Sequence, residues 1–437
     1  MTPGSKRWPL SARSLGLALV ITLFAQVPSI SVVAKYVHRH PALVSTALVI
    51  ATVCVLGAVI EGLSRSPRLA TLSSSWWLTG LFLAVLALYS LLGYPHEHAR
   101  QALNSGSTSD QAMQRTWNAL IHGRNMYSVQ LSGNVPVSPG PLWVALNGPF
   151  TLARAYAWMN PVWLAVTAIA LRLWYRRAAA VNVALAVLVA SPSLARLLAE
   201  GHDIPAVACA AVLLVALAER LTRSTEGRTT NGRSTKGRST KGRSTDGSGA
   251  GGAAMKRVGP VAMVALAGCA AVLATARIVF LFVPVLLAVL VARRDRRAAL
   301  GIAVVGMVAA GGAYALGAVG VDHFGPLHLF GRAGDRQPVA ILAVGVIAAG
   351  AIGLFTVLRS TASAASWFAW FALCWSVPLL FIGFGELASA SAKLAGWEGA
   401  NYLIAGSVPV MSALLGRLRT ADEVLPADTG DIDGTGC

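Results

Sequence analysis

Long apolar segments recur along almost the whole chain, and they restrict its possible folds more than any other feature. Helices of roughly 17–25 apolar residues match the thickness of the hydrocarbon core of a bilayer. Hydrophobic residues make up 55% of the 437 positions and charged residues 12%, whereas soluble domains carry about 25% charged residues. The sequence therefore predicts an all-α, polytopic transmembrane helical bundle.

About 12 of these segments have the length and the low charge of a spanning helix. They are residues 14–34, 42–62, 76–94, 160–176, 179–199, 203–221, 258–275, 277–292, 298–321, 339–358, 364–385 and 400–416. These boundaries give an N-terminal transmembrane module, a linker, a C-terminal transmembrane module and a tail. The four regions are 1–221, 222–257, 258–416 and 417–437.

Much of the formal net charge of +18 lies in the linker and in the cluster Arg293–Arg297. Such clusters in short loops mark the cytoplasmic side of a membrane protein, so the basic balance does not indicate a nucleic-acid partner. The linker repeats units such as GRSTK without an apolar residue between 227 and 247. We therefore expect the linker to be flexible, and we expect the acidic tail to be disordered.

A polar loop at 95–138 follows the third apolar segment. Its run GSTSDQAMQRTWNALIHGRNMYSVQ carries one acid, Asp110. Trp117, Leu120 and Ile121 fall on one face of a helix, which predicts an amphipathic interfacial helix lying along the bilayer surface. The charge rule puts this loop on the outer side. Asp110 would then lie where water meets lipid, which is where an enzyme acting on a lipid-linked substrate needs a base.

The segment 139–157 leads from this loop back to the membrane, and two paths are open to it. It contains three prolines, so one interpretation is a re-entrant or oblique helix that does not cross the bilayer. The other is a full span, which would put Arg176 and Arg177 on the side that the charge rule disfavours.

The order of these features resembles the GT-C superfamily of integral-membrane glycosyltransferases. A first outer loop with a lone Asp, an amphipathic helix, the motif Gly-x-Asn-x-Tyr at 123–127 and a Pro-Gly-Pro return at 139–141 follow one another along the chain. The likeness is strongest to the bacterial mannosyltransferases of that superfamily. It covers about 76–292 and, more weakly, the last two apolar segments.

The resemblance implies a GT-C-like fold and a reaction. An enzyme of this kind takes a sugar from a polyprenyl-phosphate donor, and the resemblance alone implies that this sugar is mannose. The enzyme passes the sugar, with inversion, to a lipid-linked or cell-envelope glycan acceptor. The resemblance also implies a multi-pass protein of the cell's inner (plasma) membrane with its active site on the extracytoplasmic side. It implies no cofactor besides the donor substrate, and it does not indicate a divalent metal.

In that superfamily an acid in the first outer loop is the general base, and this role falls on Asp110. A sugar hydroxyl attacks an anomeric carbon well only if its proton is removed as the bond forms. A carboxylate within hydrogen-bond reach contributes about 10²–10⁴-fold to such a step. The lipid phosphate is already a good leaving group and needs charge stabilisation more than protonation. Alternatively, Asp110 only caps the helix that follows it.

Three further residues are candidate substrate ligands. His202 and Asp203 precede an apolar segment, where an acid recurs in the GT-C pattern, and they would bind acceptor hydroxyls. An Asp followed by Pro205 is also an ordinary helix start. Arg277 lies in a turn between two apolar segments, where its guanidinium suits phosphate oxygens. The alternative for Arg277 is a snorkelling side chain at a helix end.

The resemblance adds Tyr127 of the Gly-x-Asn-x-Tyr motif, together with Asn401 and Tyr402 before the last apolar segment. Related enzymes often carry an Arg-Tyr pair there, which helps to hold the phosphate, whereas this chain has Asn401. The alternative reading of this stretch, which includes Trp397, is an aromatic belt at the membrane interface. No metal site is expected at the run 96–98 (His-Glu-His), because three adjacent residues lack the i,i+4 spacing of helical metal ligands.

The competing class is a polytopic transporter or lipid flippase without glycosyl transfer. A transporter usually shows internal repeats, broken helices at matching positions and ionisable groups near the bilayer midplane. The sequence shows no convincing two-fold repeat, and its distinctive polar residues cluster in loops and at the ends of apolar segments. That distribution favours chemistry at the membrane interface.

Overall fold

The structure, a computed structural model, describes residues 10–103, 107–132, 135–223, 258–292, 294–321, 325–327, 350, 364–388, 397 and 399–415. Within these residues every regular element is helical, which confirms the all-α prediction. The predicted linker beyond Arg223 and the predicted tail lie outside the described residues. The same holds for the segment predicted at 339–358, apart from Gly350.

The helices before the linker are α1 (Ala12–Ala25), α2 (Ser29–Tyr36), α3 (Pro41–Arg65), α4 (Pro67–Ser73), α5 (Trp76–Ala102), α6 (Ser109–Ile121), α7 (Pro141–Leu152), α8 (Met159–Tyr175), α9 (Ala178–Val189), α10 (Pro192–Ala199) and α11 (Ile204–Arg223). The helices after it are α12 (Pro260–Ala274), α13 (Val283–Val291), α14 (Arg296–Ala318), α15 (Ala364–Ala388) and α16 (Ala400–Leu415). Short 3-10 helices occupy Met126–Ser128, Tyr156–Trp158, Ile278–Phe280 and Gly325–Leu327. Proline sets the start of several α-helices, because its fixed φ suits the first helical turn and its missing N–H is not needed there.

Two apolar stretches are broken rather than straight. The axes of α1 and α2 differ by 57°, and those of α9 and α10 differ by 75°. The two breaks meet each other in the bundle. The hydroxyl of Ser191 donates to the carbonyl of Ala25 at 2.7 Å, and Gln26 Nε2 donates to the carbonyl of Val187 at 3.3 Å. Side chains at one break therefore satisfy carbonyl groups at the end of the other helix.

Five described helices are long and apolar enough to cross a bilayer, and each broken pair adds one more if it counts as a single span. The five are α3, α5, α11, α14 and α15. The centre of the bundle is α11, since 72% of its apolar stretch is buried, compared with 22% for α3, 17% for α5 and 28% for α14. The outer helices present large apolar side chains such as Leu43, Val55 and Leu92 outward. A bilayer covers such surfaces, so the described residues fit a membrane protein with five to seven spans.

The predicted number of about 12 spans is not reached within the described residues. Four helices coincide with predicted spans but have fewer than 18 residues, namely α8 with 17, α12 with 15, α13 with 9 and α16 with 16. A helix of nine residues rises about 14 Å, which is roughly half the thickness of the hydrocarbon core. The number of crossings in the whole chain stays a prediction.

Helix α5 continues beyond its predicted end at Tyr94. Pro95 follows this predicted end, and a proline inside a helix removes a backbone hydrogen bond. The proline nevertheless lies inside the helix, which runs for seven more residues. The first part of the predicted polar loop at 95–138 is therefore helical. Tyr94, His98 and Gln101 share one face of this extension, since they are spaced at i, i+4 and i+7.

The predicted amphipathic helix is present as α6, and part of its apolar face packs on protein rather than facing outward. Trp117 lies against Gly148 of α7, where a Cβ atom would come within 2.5 Å of the indole ring. Only glycine permits this approach. Ile121, which was expected on the same face, is exposed.

The short helix α7 favours the re-entrant path for the segment 139–157. Its 12 residues rise about 18 Å, less than the roughly 30 Å of the hydrocarbon core. Before α7, Gly140 N–H donates to the carbonyl of Thr275 at 2.6 Å; after it, the Tyr156 hydroxyl donates to the carbonyl of Gly201 at 3.0 Å. The turns that hold Thr275 and Gly201 are themselves joined by hydrogen bonds. The segment therefore leaves and returns at the same end of the bundle.

Candidate functional site

A polar layer at one end of the bundle contains most of the residues that the sequence singles out. The C-terminal ends of α5, α10, α12 and α14 lie in this layer, together with the loop helix α6. Asp110, Asp203 and Arg277 belong to it, and all three are buried. We call these residues and the aromatic side chains between them the polar layer.

Asp110 lies in the first turn of α6, and its side chain is fully buried. Its Oδ2 accepts a hydrogen bond from the Tyr94 hydroxyl at 2.9 Å and lies 3.2 Å from His98 Nδ1. Its Oδ1 accepts from Gln101 Nε2, and from the backbone N–H of Gln111 at 2.7 Å. Thr108 is the N-cap of α6 and Asp110 its second residue, so the bond from Gln111 satisfies an N–H of the first turn without making Asp110 the N-cap. The other three contacts come from α5. The carboxylate therefore joins α6 to the extended part of α5.

Asp203 directly precedes α11, and its carboxylate forms a bidentate ion pair with Arg277. Nη1 lies 2.8 Å from Oδ2, and Nη2 lies 2.5 Å from Oδ1. The indole Nε1 of Trp143, on α7, also donates to Oδ2 at 2.8 Å. Asp203 does stand at a helix start, as the structural alternative predicted. Its carboxylate, however, ties α11 to the turn after α12 and to α7.

The charges of this pair stabilise each other. Burial, the largest single effect on both groups, would raise the pKa of Asp203 and lower that of Arg277, but the attraction between the two groups, together with the effect of His202 on Asp203, outweighs it. The pKa of Asp203 is held well below its ordinary value, and the pKa of Arg277 lies above its own. Arg277 also donates to the carbonyl of Ala276 at 2.6 Å. Of the five N–H groups of a guanidinium, Nε–H and one on Nη2 have no acceptor among the described residues.

Two tyrosines connect the two acids. The ring centroids of Tyr94 and Tyr156 are 5.8 Å apart, and Tyr94 binds Asp110. Burial, followed by the negative charges of Asp203 and Asp110, raises the pKa of Tyr156 well above its ordinary value. The hydroxyl of Tyr156 therefore stays protonated, as it must to donate to the carbonyl of Gly201. Gly201 has φ +63°, and a Cβ atom there would lie 2.8 Å from the Tyr94 ring, so glycine is required on both counts.

The Gly-x-Asn-x-Tyr motif attaches the loop to the end of α14. Asn125 Nδ2 donates to the carbonyl of Gly317 at 3.0 Å, and the ring of Tyr127 packs directly on Gly317. Burial first, and then the neighbouring Tyr314, raises the pKa of Tyr127. Tyr314 in turn interacts electrostatically with Arg277. The motif thus has a structural role, and Tyr127 borders the polar layer through Tyr314.

The other predicted ligands are related to the ion pair in different ways. Tyr402, near the start of α16, lies within electrostatic reach of Arg277. His202 Nδ1 is 3.4 Å from Asp203 Oδ1 and accepts from the backbone N–H of Ile204 at 3.3 Å, so it supports the start of α11. Asn401 is half-buried, and its side chain makes no hydrogen bond with another described residue.

Several residues of the layer were not predicted. Sequence reasoning missed Tyr94, Gln101 and Trp143, and it considered His98 only for a metal site. The available signal was the helical spacing of Tyr94, His98 and Gln101, which becomes visible once the helix is allowed to pass the proline. Trp143 has no such signal, because it stands 60 residues from its partner along the chain.

No comparison with known proteins identifies the layer: no protein-family model, no curated protein and no solved structure matches the chain significantly. Among the described residues, no three His, Cys, Asp or Glu side chains are grouped so that they could hold a metal ion. The candidate functional groups are the ion pair, Asp110 with its α5 partners, and the aromatic residues between them.

Proposed function

We propose that this chain is an inverting membrane glycosyltransferase of the GT-C type, which passes a sugar from a polyprenyl phosphate to a lipid-linked or cell-envelope glycan acceptor. The observation that supports the proposal best is that an acid, Asp110, and a cation, Arg277, lie in one polar layer and are connected by Tyr94 and Tyr156. Transfer from a lipid phosphate needs two such centres. One takes the proton of the acceptor hydroxyl, and the other holds the charge of the phosphate.

In the proposed reaction the acceptor oxygen bonds to the anomeric carbon while the bond from that carbon to the phosphate oxygen breaks. The polyprenyl phosphate leaves with the bonding electrons, and the hydroxyl proton goes to the base formed by Asp110 and its α5 partners. One displacement of this kind inverts the anomeric carbon. The remaining N–H groups of Arg277 suit phosphate oxygens, because Asp203 already fixes the plane of the guanidinium. Tyr402 and Tyr314 lie beside them.

The position of the layer in the bundle also supports a lipid-linked substrate. A donor whose isoprenoid chain stays in the bilayer presents its phosphate at the level of the helix ends. Arg294, Arg296 and Arg297 of the basic cluster stand at the start of α14, and the loop binds the opposite end of that helix. With the basic cluster in the cytoplasm, the loop and the layer face the extracytoplasmic side of the plasma membrane. About 12 spans in the whole chain, and mannose as the sugar, belong to this proposal.

The test is sugar transfer by the purified protein. The protein is reconstituted into liposomes with radiolabelled polyprenyl-phosphate mannose and with a lipid extract that supplies acceptors. We expect the label to move into a new lipid product, with inversion at the anomeric carbon, and we expect no product in protein-free liposomes. A parallel reaction with the glucosyl donor tests the choice of sugar. Folded protein that leaves both donors chemically unchanged would reject the proposal.

The broken helices favour a second candidate function, that of a transporter or lipid flippase. Discontinuous helices that meet near the middle of a bundle are a feature of transporters, and α1–α2 and α9–α10 meet in this way. The buried oxygens Thr22 Oγ1 and Gln26 Oε1 lie on α1 and at its end without a hydrogen-bond partner among the described residues. The same liposomes distinguish the two functions. A flippase would move the labelled donor to the other leaflet without forming a new product.

The proposed orientation predicts which positions an impermeant reagent can reach. In a background without the five natural cysteines, His122→Cys should react with an impermeant maleimide in intact cells, because His122 is exposed on the loop. Ser234→Cys in the linker should react only after the cells are permeabilised. Labelling in the reverse order would overturn the orientation.

A further inference from the structure

We infer that His98 receives the proton of the attacking hydroxyl and that Asp110 is the buried residue that positions it. This inference rests on the proposed function and refines its base. The observation that carries it is a buried carboxylate oxygen 3.2 Å from Nδ1 of an imidazole whose side chain is 58% exposed. The acceptor hydroxyl would then arrive at the exposed end of α5.

The carboxylate of Asp110 has no position left for a substrate hydroxyl. A carboxylate offers about four lone-pair sites. Asp110 already has four contacts, with Tyr94, His98, Gln101 and the backbone of Gln111. Its side chain is 0% exposed. A substrate would have to displace one of these donors before it could reach the carboxylate, so Asp110 acts through a neighbour.

A substrate hydroxyl can reach the exposed imidazole of His98, whereas it cannot reach the buried carboxylate of Asp110. An ionised carboxylate can only accept, so the hydrogen on Nδ1 points to Asp110 and Nε2 keeps a free lone pair. Nε2 has no partner among the described residues. The ring also stacks on Tyr94, with centroids 5.8 Å apart and planes at 24°. Tyr94 is itself held by Gln114 Nε2 at 2.5 Å. The imidazole of His98 is therefore held on one face by the Tyr94 ring and at Nδ1 by Asp110.

This arrangement balances the proton transfer. The proton of the acceptor hydroxyl moves to Nε2, the hydrogen on Nδ1 stays where it is, and Asp110 remains ionised. The buried negative charge stabilises the imidazolium that forms, as in other pairs of a histidine and a carboxylate. Imidazole is also the side chain whose proton exchange lies nearest to neutral pH, which suits a general base.

The decisive variant is His98→Gln, compared with His96→Gln in the liposome transfer reaction. Glutamine keeps an N–H that can donate to Asp110, so we expect thermal unfolding close to that of the wild type. It cannot accept the proton, so kcat should fall at least ~100-fold, the low end for removing a base. KM should stay within about threefold, because the base contributes little to ground-state binding. His96 is exposed two positions earlier, and His96→Gln should behave as wild type.

A rescue experiment separates catalysis from structural support. His98→Ala leaves space beside Asp110, and added imidazole should restore part of the transfer in a concentration-dependent way. Transfer by His98→Gln within about threefold of wild type would overturn the inference. A loss in His98→Ala that imidazole does not reverse would also overturn it, because a purely structural ring behaves in that way. If the wild type itself transfers no sugar, the proposed function fails first and this assignment falls with it.

Discussion

Replacing Arg277 with methionine should lower the free energy of unfolding by about 3–5 kcal/mol, because it leaves a buried carboxylate without its counter-charge. The Asp203 side chain is 1% exposed and that of Arg277 is 10% exposed, so water has little access to replace the lost partner. Trp143 Nε1 remains as a donor to Asp203, but one neutral N–H does not compensate a buried charge. Chemical or thermal unfolding of the purified protein in detergent measures the loss.

Two controls show whether burial of the pair is the cause. Glu97 and Arg100 form a more exposed ion pair at 2.8 Å, and Glu97→Gln should cost at most about 1 kcal/mol. The double variant Asp203→Asn with Arg277→Met should recover most of the lost stability, because no charge then stays buried and the Asn carbonyl still accepts from Trp143. If Arg277→Met were as stable as Glu97→Gln, the buried ion pair would not hold these elements together.

The pH dependence of this loss has a definite sign. Burial is the largest single effect on the pKa of Asp203 and would raise it, but in the wild type Arg277 and His202 together hold this pKa below its ordinary value. The contribution of the pair is therefore complete at neutral pH and is lost only as the pH falls below the ordinary carboxyl range. In Arg277→Met the attraction of Arg277 is lost, and burial, the largest effect, is opposed mainly by His202, so the pKa of Asp203 should rise. That variant should therefore regain stability relative to the wild type as the pH falls from about 7 to about 5.

The long helices could be predicted from the sequence, because an uninterrupted apolar segment has few alternatives in a bilayer. The apolar segments at 42–62 and 203–221 appear as α3 and α11. The extension of α5 past Pro95 could not be predicted in this way. Local chemistry favours a helix end at a proline, but His98 and Gln101 gain a buried partner in Asp110 only if the helix continues. Tertiary contacts therefore override the local preference.

The candidate site was predictable as a set of residues but not as a set of contacts. Asp110 stood out as the one acid of the run GSTSDQAMQRTWNALIHGRNMYSVQ in the polar loop, and Asp203 and Arg277 stood out as charges at the ends of apolar segments. Asp203 and Arg277 are 74 residues apart in the chain, and no pattern in the sequence says that this acid meets this cation. The sequence interpretation treated both as substrate ligands. In the structure each is first the partner of the other, and only the remaining N–H groups of Arg277 are available to a phosphate.

Asp110→Asn should lower kcat at least ~100-fold while the protein stays folded. Asparagine starts a helix about as well as aspartate, and its carbonyl oxygen can still accept from Gln101 and Gln111. Its amide nitrogen, however, takes the place of Oδ2, and it donates where Oδ2 accepted. It can neither hold the Nδ1 hydrogen of His98 nor stabilise an imidazolium. Transfer kinetics and thermal unfolding of the same preparation separate the two effects.

Asp295 provides the matched control. It caps α14, where its Oδ1 accepts from the backbone N–H groups of Arg297 and Ala298, both at 3.0 Å. Asp295→Asn keeps this cap, but its amide nitrogen replaces the Oδ2 that accepts from the Val258 N–H at 3.0 Å. Its transfer rate should therefore match the wild type, while its stability should fall by about 1 kcal/mol. If Asp110 only capped α6, Asp110→Asn would behave in the same way.

Combining Asp110→Asn with His98→Gln shows whether the two residues act as one catalytic unit. Residues that act as a unit are strongly non-additive, so the double variant should be no slower than the slower single variant. Losses that multiply would mean that the two side chains act separately. A large loss in Asp110→Asn together with wild-type transfer by His98→Gln would make the carboxylate itself the base. If Asp110→Asn kept nearly full transfer while Asp203→Asn abolished it without unfolding the protein, the base would be Asp203. Asp203 would then take the proton of the acceptor hydroxyl, and Asp110 would have the structural role. Arg277 would in that case hold the phosphate without its present partner.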